Sequence, residues 1–482
     1  MTAKAIMFMG TGSDVGKSLI VAGLCRLLAN RGLKVAPFKP QNMSNNAAAV
    51  AGGEIGRAQA LQARAARVAA TIHMNPVLLK PESERGAQVI IQGQRAATMS
   101  ARDFFKSREQ FMPAVLDSFQ KLSADHDIIL VEGAGSPAET NLRKGDLANM
   151  GFAEAANIPV VLIGDIHRGG VIASLVGTHA VLNGQDNSRI KAFLINKFHG
   201  DPALFSEGLA DIQHRTGWHS LGVVPHFANA HRLPAEDAVA LEEGLSTQGG
   251  AIKICVLRLP RIANFDDLDP LRLEPGVSVQ FLNAGSALPG DCNLVIIPGS
   301  KSTMADLAAL RANGWDIDIA AHVRRSGAVL GLCGGYQMLG NMIHDPLGLE
   351  GTATSVNGLG LLNVETTLTA DKTVTPTMAT HAASGEEISA YEIHLGQTAG
   401  QDCENPFART ANGPEGATSG NIMGTYLHGC FSADGFRKAF LQALGRGGSD
   451  LAYEALVEHT LDELAEHLEA HLDVDMILEI AS

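Results

Sequence analysis

A short apolar run, Ala5-Ile-Met-Phe-Met9, breaks into Gly10-Thr-Gly-Ser-Asp-Val-Gly-Lys-Ser18 and passes directly into a helical pattern over Lys17–Asn30. Strand, glycine-rich turn and helix in that order commit the start of the chain to an α/β fold. The N–H groups at the start of such a helix have no intrahelical acceptor, and they favour phosphate. Backbone amides of Gly12, Ser13, Asp14, Val15 and Gly16 are expected to wrap the phosphates of ATP. Lys17 would reach the outer ones and the Ser18 hydroxyl would ligate Mg²⁺. The strict pattern requires glycine five residues before Gly16. Thr11 stands there and Gly10 lies one residue further back, so the loop is a variant.

Apolar strands recur at 34–38, 127–131, 159–164, 190–196 and 221–224, with helical patterns between most of them. That alternation predicts a doubly wound, mostly parallel sheet whose ligands sit at the carboxyl ends of the strands. After Pro225 the chain turns polar, and a strand pattern restarts at Ile252. The expected domains are 1–235, a linker at 236–250, a second α/β unit at 251–440 and a helical tail at 441–482. Strands of the second unit are expected near 277–282, 293–297 and 328–332, with a β-rich stretch at 358–368. In the tail, Val457, Leu461, Leu464, Leu468 and Leu472 recur at helical spacing and predict an amphipathic helix packed on the body. His467 and His471 flank Glu469 there. Their order is not that of a zinc-protease helix, and a solvated charged face is the expectation.

An acid at a strand end should help to hold Mg²⁺ beside the phosphate loop. Glu132 follows a buried run and is the first choice; Asp165 and Asp14 are alternatives. Downstream, Gly331-Leu-Cys-Gly-Gly335 follows Ala328-Val-Leu330 and has the form of a nucleophile elbow carrying a thiol. Cys333 would be the nucleophile and the Gly334 N–H would face the developing oxyanion. His428, in Gly424-Thr-Tyr-Leu-His-Gly429, is preferred as base over His394, because its glycine-rich flanks leave the ring accessible. An ATP site and a thiol hydrolase in one chain suggest an amidotransferase, with ammonia freed from glutamine and installed on a carboxylate.

The net charge of −14 argues against a nucleic-acid partner. The six cysteines are scattered without a CxxC pair, which disfavours a disulfide framework or a zinc site. No run is long enough for a membrane span or a signal peptide, so a cytoplasmic enzyme is expected.

The chain resembles the cobyric acid synthases over nearly its whole length. The resemblance runs through the loop at 10–18, Lys39-Pro-Gln-Asn-Met-Ser-Asn-Asn46, Asn75-Pro-Val-Leu-Leu-Lys-Pro81 and Val131-Glu-Gly-Ala-Gly-Ser136. It continues in Arg258-Leu-Pro-Arg-Ile262, Ile297-Pro-Gly-Ser-Lys-Ser-Thr303 and the Cys333 and His428 motifs. It implies a dethiobiotin-synthetase-like ATPase domain fused to a class I glutamine amidotransferase domain. The reaction implied is amidation of the b, d, e and g carboxylates of adenosylcobyrinic acid a,c-diamide, with ATP, Mg²⁺ and glutamine. Lys39, Gln41, Asn42 and Asn45 are the candidates for contacting substrate, with Lys39 alternatively assisting phosphoryl transfer. Two positions depart from related patterns: Cys430 stands where many class I glutaminases carry glutamate, and His167 where an aspartate is expected. Two rival readings stay open: a cobyrinic acid a,c-diamide synthase-like enzyme, and a P-loop regulatory ATPase with an inert glutaminase-like half.

Overall fold

The computed structural model describes residues 3–81, 86–234, 250–445 and 448–481; the linker expected at 236–250 lies, apart from Gly250, outside them. Contacts divide the chain into a first unit of 1–44, 51–236 and 456–482 and a second of 45–50 and 237–455. The first unit is thus discontinuous. The sequence placed 441–482 as a tail of its own, whereas the residues from 456 onward belong to the first unit.

In the first unit, β1 (Lys4–Gly10), β2 (Val35–Phe38), β3 (Ile128–Glu132), β4 (Val160–Asp165), β5 (Ile190–Phe198) and β6 (His219–Pro225) form one sheet in the order β6-β5-β4-β1-β3-β2. Every neighbouring pair is parallel. Strands covered on both faces read as continuous apolar runs, which is why these were legible; Ile6 to Met9 are fully buried. Helix α1 (Lys17–Asn30) follows β1, and α2 (Arg57–Ala65) packs beside it. A smaller sheet of four strands, between Gln41 and Ser100, was not anticipated.

In the second unit, β7 (Ile252–Leu257), β8 (Val277–Leu282), β9 (Leu294–Ile297), β10 (Ala328–Leu332), β13 (Ala417–Ser419) and β14 (Ile422–Thr425) form a sheet in the order β8-β7-β9-β10-β14-β13. It is parallel except at the edge strand β13. Helix α3 (Thr303–Ala312) follows β9, and the six-residue α4 (Gly334–Leu339) follows β10. A long antiparallel hairpin, β11 (Val364–His381) and β12 (Glu387–Gly400), carries the short β15 (Leu427–His428) along β12. Only its first few residues fall in the stretch expected to be β-rich.

Helix α5 (Tyr453–His471) lays its leucine stripe on α1. A methyl group on Gly23 would lie 2.5 Å from Leu468 Cδ1 and 2.9 Å from Leu464 Cγ, so the glycine is what allows this close approach. Leu464→Ala removes a buried side chain at that contact. It should destabilise the first unit by about 2–4 kcal/mol in denaturant unfolding, with unchanged behaviour of the second. Of the face expected to be solvated, Glu469 is exposed while His467 is partly buried. Its Nε2 donates to the Pro225 carbonyl at 2.9 Å, and its own carbonyl accepts from His471 Nδ1 at 2.8 Å. Among the described residues no helix is long and apolar enough to cross a membrane.

Candidate active sites

Gly16 adopts φ +92°, a left-handed conformation that L side chains rarely take, and this turns the chain from the phosphate loop into α1. The loop is braced from β5: Asn196 Nδ2 donates to Val15 O at 2.8 Å, and Lys197 Nζ donates to Asp14 O. Lys17 Nζ lies 3.0 Å from Gly12 O, folded over the loop it serves. Glu132, at the carboxyl end of β3, is fully buried and gathers three donors. Ser18 Oγ and Lys39 Nζ each reach its Oε1 at 2.8 Å, and Gln62 Nε2 reaches its Oε2 at 2.5 Å. The structure therefore brings Ser18, Glu132 and Lys39 together. Gln62, on α2, joins them without any sequence signal. Asp165 stands apart from this cluster, ion-paired to Lys197 at 3.1 Å and accepting the His167 N–H at 2.7 Å. The His167 ring lies against His199, Nδ1 to Nε2 at 3.1 Å.

The remaining candidates for substrate contact disperse. Asn42 is turned into the protein, its Nδ2 donating to Gln59 Oε1 at 3.0 Å and its Oδ1 accepting the Met43 N–H at 2.8 Å. Gln41 keeps a buried Oε1 with no partner among the described residues. Asn45 falls in the stretch grouped with the second unit.

Cys333, between β10 and α4, has φ 51° and ψ −108°, a strained conformation for a residue with a side chain. The turn is possible because Gly335 lacks a side chain; a methyl there would stand 2.0 Å from the Ile297 carbonyl oxygen. The sulfur is half-buried, lies 3.5 Å from Ile393 O, and is close enough to His428 to act on the ring's charge. A methyl on Gly334 would lie 3.1 Å from the Ser300 nitrogen, so two backbone N–H groups flank the thiol turn. The adjoining ladder uses Gly299 O and the Lys301 N–H, leaving the Ser300 N–H outside it. His394 is held elsewhere: it stacks on Tyr426 at 3.8 Å and its Nε2 meets Glu392 Oε2 at 3.3 Å.

His428 is buried, and its Nδ1 lies 2.7 Å from Asp267 Oδ2. The other Asp267 oxygen accepts the Gly429 N–H at 2.7 Å. Burial works against a charged ring. The Asp267 charge and hydrogen bond, with the Cys333 contact, outweigh it and raise the His428 pKa to about 10. No motif singles out Asp267, which precedes His428 by 161 residues.

Beneath this site Glu415 is buried against Thr425 Oγ1 at 2.7 Å and the Tyr426 N–H at 2.6 Å. Burial pushes its pKa up to about 7. A carboxyl raised in the folded state loses stability as pH climbs from its unfolded value of about 4.3 through 7. Glu415→Gln has no such loss. Relative to the parent it should gain up to about 3 kcal/mol between pH 4 and pH 8 in paired denaturation curves, less any cost of turning an amide toward Tyr426.

Comparison with known proteins adds a whole-chain likeness. The CobQ/CobB/MinD/ParA nucleotide binding domain matches residues 6–240, and the CobB/CobQ-like glutamine amidotransferase domain matches residues 253–436. Cobyric acid synthase of Cereibacter sphaeroides is 59% identical over 480 residues, covering 99% of each chain. The cobyric acid synthase of Jannaschia sp. is 58% identical over 481 residues, again covering 99% of each. That of Brucella suis biovar 1 is 57% identical over 482 residues, covering 99% of this chain and 100% of the other.

Proposed function

This chain belongs to the cobyric acid synthase family, an ATP-dependent amidating ligase with a glutamine amidotransferase domain, and on that footing we propose how it works and on what. The substrate we assign is adenosylcobyrinic acid a,c-diamide, amidated at its b, d, e and g carboxylates. Reliance on ATP and free glutamine fits a cytoplasmic setting. The observation that carries the thiol half of the reading is Cys333, on its strained turn, beside a buried His428 that Asp267 holds at 2.7 Å.

Cys333 attacks the side-chain amide carbon of glutamine, and the Gly334 and Ser300 N–H groups take up the oxyanion charge. His428 gives its proton to the departing nitrogen, which leaves as ammonia. Water then cleaves the thioester; its proton returns by way of His428, glutamate departs and the thiol is restored.

In the first unit a corrin carboxylate oxygen attacks the γ-phosphorus of ATP. The bond to ADP breaks and an acyl phosphate forms, because a bare carboxylate is a poor electrophile. Lys17 and the loop amides bind the charge on the transferring group. Ammonia then attacks the acyl carbon, loses a proton and expels phosphate, leaving the amide. Ser18 Oγ and Glu132 Oε1, two hard oxygen donors 2.8 Å apart, suit Mg²⁺, which when bound would neutralise phosphate charge. Lys39, 2.8 Å from Glu132, is assigned to this phosphate chemistry rather than to the corrin.

The test is amidation of the a,c-diamide with glutamine and ATP, followed by mass spectrometry. Four carboxyl-to-amide conversions are expected. Conversion of cobyrinic acid to its a,c-diamide instead would assign the neighbouring activity, and glutamine left intact would overturn the glutaminase reading.

A further inference from the structure

Class I glutaminases commonly orient their histidine with a carboxylate two residues further along the chain. Here that place is taken by Cys430, fully buried in the apolar core with Phe431 and Phe436. We propose that Asp267 supplies the missing function: a positioning residue, recruited from the loop after β7, that fixes the His428 ring toward Cys333. The proposal rests on the reading of Cys333 and His428 given above and deepens it.

The geometry favours positioning over simple charge pairing. Asp267 uses both oxygens, one on the imidazole Nδ1 and one on the backbone N–H of Gly429, each at 2.7 Å. A carboxylate gripping ring and main chain together fixes both the tautomer and the plane of the ring. With Nδ1 occupied, Nε2 is the nitrogen left for the thiol. The ring is held on its face as well, since Tyr391 stacks on it at 5.4 Å and 19°. The tyrosine hydroxyl accepts from Asn264 Nδ2 at 3.4 Å, three residues from Asp267, so one loop braces the ring by two routes. At its far edge, a methyl on Gly299 would come within 3.3 Å of His428 Cε1.

The other acids nearby are committed elsewhere. Glu392 bonds Thr377 Oγ1 at 3.0 Å and His394, and reaches His428 only through its charge. Glu415 serves Thr425 and Tyr426. The titratable groups facing His428 are therefore Asp267, Cys333, Glu392 and Tyr391, with the Cys430 thiol close to Asp267. Of the acids, Asp267 alone bonds the ring among the described residues.

The experiment compares D267N and D267E with the parent in the full chain, with C333A and H428A as controls. Glutamine hydrolysis, ammonia-supported amidation and the pH dependence of Cys333 alkylation by iodoacetamide are measured. D267N should lower kcat for glutamine by about 10²-fold or more, because its amide can hold the wrong imidazole tautomer, with KM changed less than about twofold. Ammonia-supported amidation should persist. The limb of the alkylation profile that reports the imidazolium should move to lower pH, and D267E should recover part of kcat. Parent-like kcat and alkylation in D267N, alongside inactive C333A and H428A, would overturn this proposal alone. Glutamine hydrolysis surviving in C333A or H428A would instead overturn the underlying reading. Loss of ammonia-supported amidation in both Asp267 variants would mark the carboxylate as structural, and that too would overturn the proposal.

Discussion

Cys333→Ala should lose glutamine-supported amidation by at least about 10³-fold while ammonium salts continue to support the reaction. The asymmetry follows from where the sulfur acts. In the proposed mechanism, removing it deletes the attacking atom of ammonia release, and neither the Gly334 and Ser300 N–H groups nor His428 can substitute for it. Phosphoryl transfer, which the proposal assigns to residues of the first unit, should proceed as before. The substitution is also a mild one for the fold, since Cys333 is half-buried and alanine relieves none of the glycine requirements at the turn. The check is a paired assay with glutamine and with ammonium chloride, and equal loss in both would show that the variant had damaged more than the nucleophile.

Lys17→Ala should show the opposite pattern. Both glutamine- and ammonia-supported amidation should fall by on the order of 10²- to 10³-fold, the scale of losing one pre-placed charge at a transferring phosphoryl group. Hydrolysis of glutamine should survive at least in part, because Lys17 bonds the Gly12 and Gly135 carbonyls of the first unit, and the thiol chemistry is assigned to the second. Measuring glutamate release beside amide formation separates the two effects. Retained ATP-dependent amidation would remove Lys17, and with it the loop, from the chemistry.

The elements that were legible in the sequence are those whose signal is local. Buried parallel strands announced themselves as apolar runs; the run expected at Lys34–Phe38 appears as Val35–Phe38, and 328–332 appears as Ala328–Leu332. The thiol turn was legible for the same reason, since the glycines around Cys333 are demanded by contacts within a few residues and by one neighbouring strand. Features set by tertiary contact were not legible. Asp267 sits in Asn264-Phe-Asp-Asp-Leu268, where two adjacent acids look alike and only the tertiary fold decides which meets His428. Gln62 is an unremarkable helical residue until α2 packs it beside Glu132. Four residues of the polar run at 39–46 are candidates for substrate contact, with phosphoryl transfer the alternative for Lys39, and sequence alone does not show that Lys39 bonds Glu132 or that Asn42 turns inward to Gln59. The hairpin of β11 and β12 was largely missed because its many threonines, glutamates and alanines keep only a weak alternation along much of its length.

The return of α5 to the first unit also has a consequence for biosynthesis. Arg26 is completely enclosed, and its acidic partners Glu458 and Asp462 are made more than four hundred residues later. On a ribosome, the nucleotide-binding half would stay open along its α1 face while residues 237–455 are polymerised, roughly 10 to 45 s at about 5–20 residues per second. The leucine stripe that closes that face emerges only at the end. Nascent chains stalled or cut short before it would expose an apolar surface with an uncompensated guanidinium, a form suited to capture by chaperones and proteases.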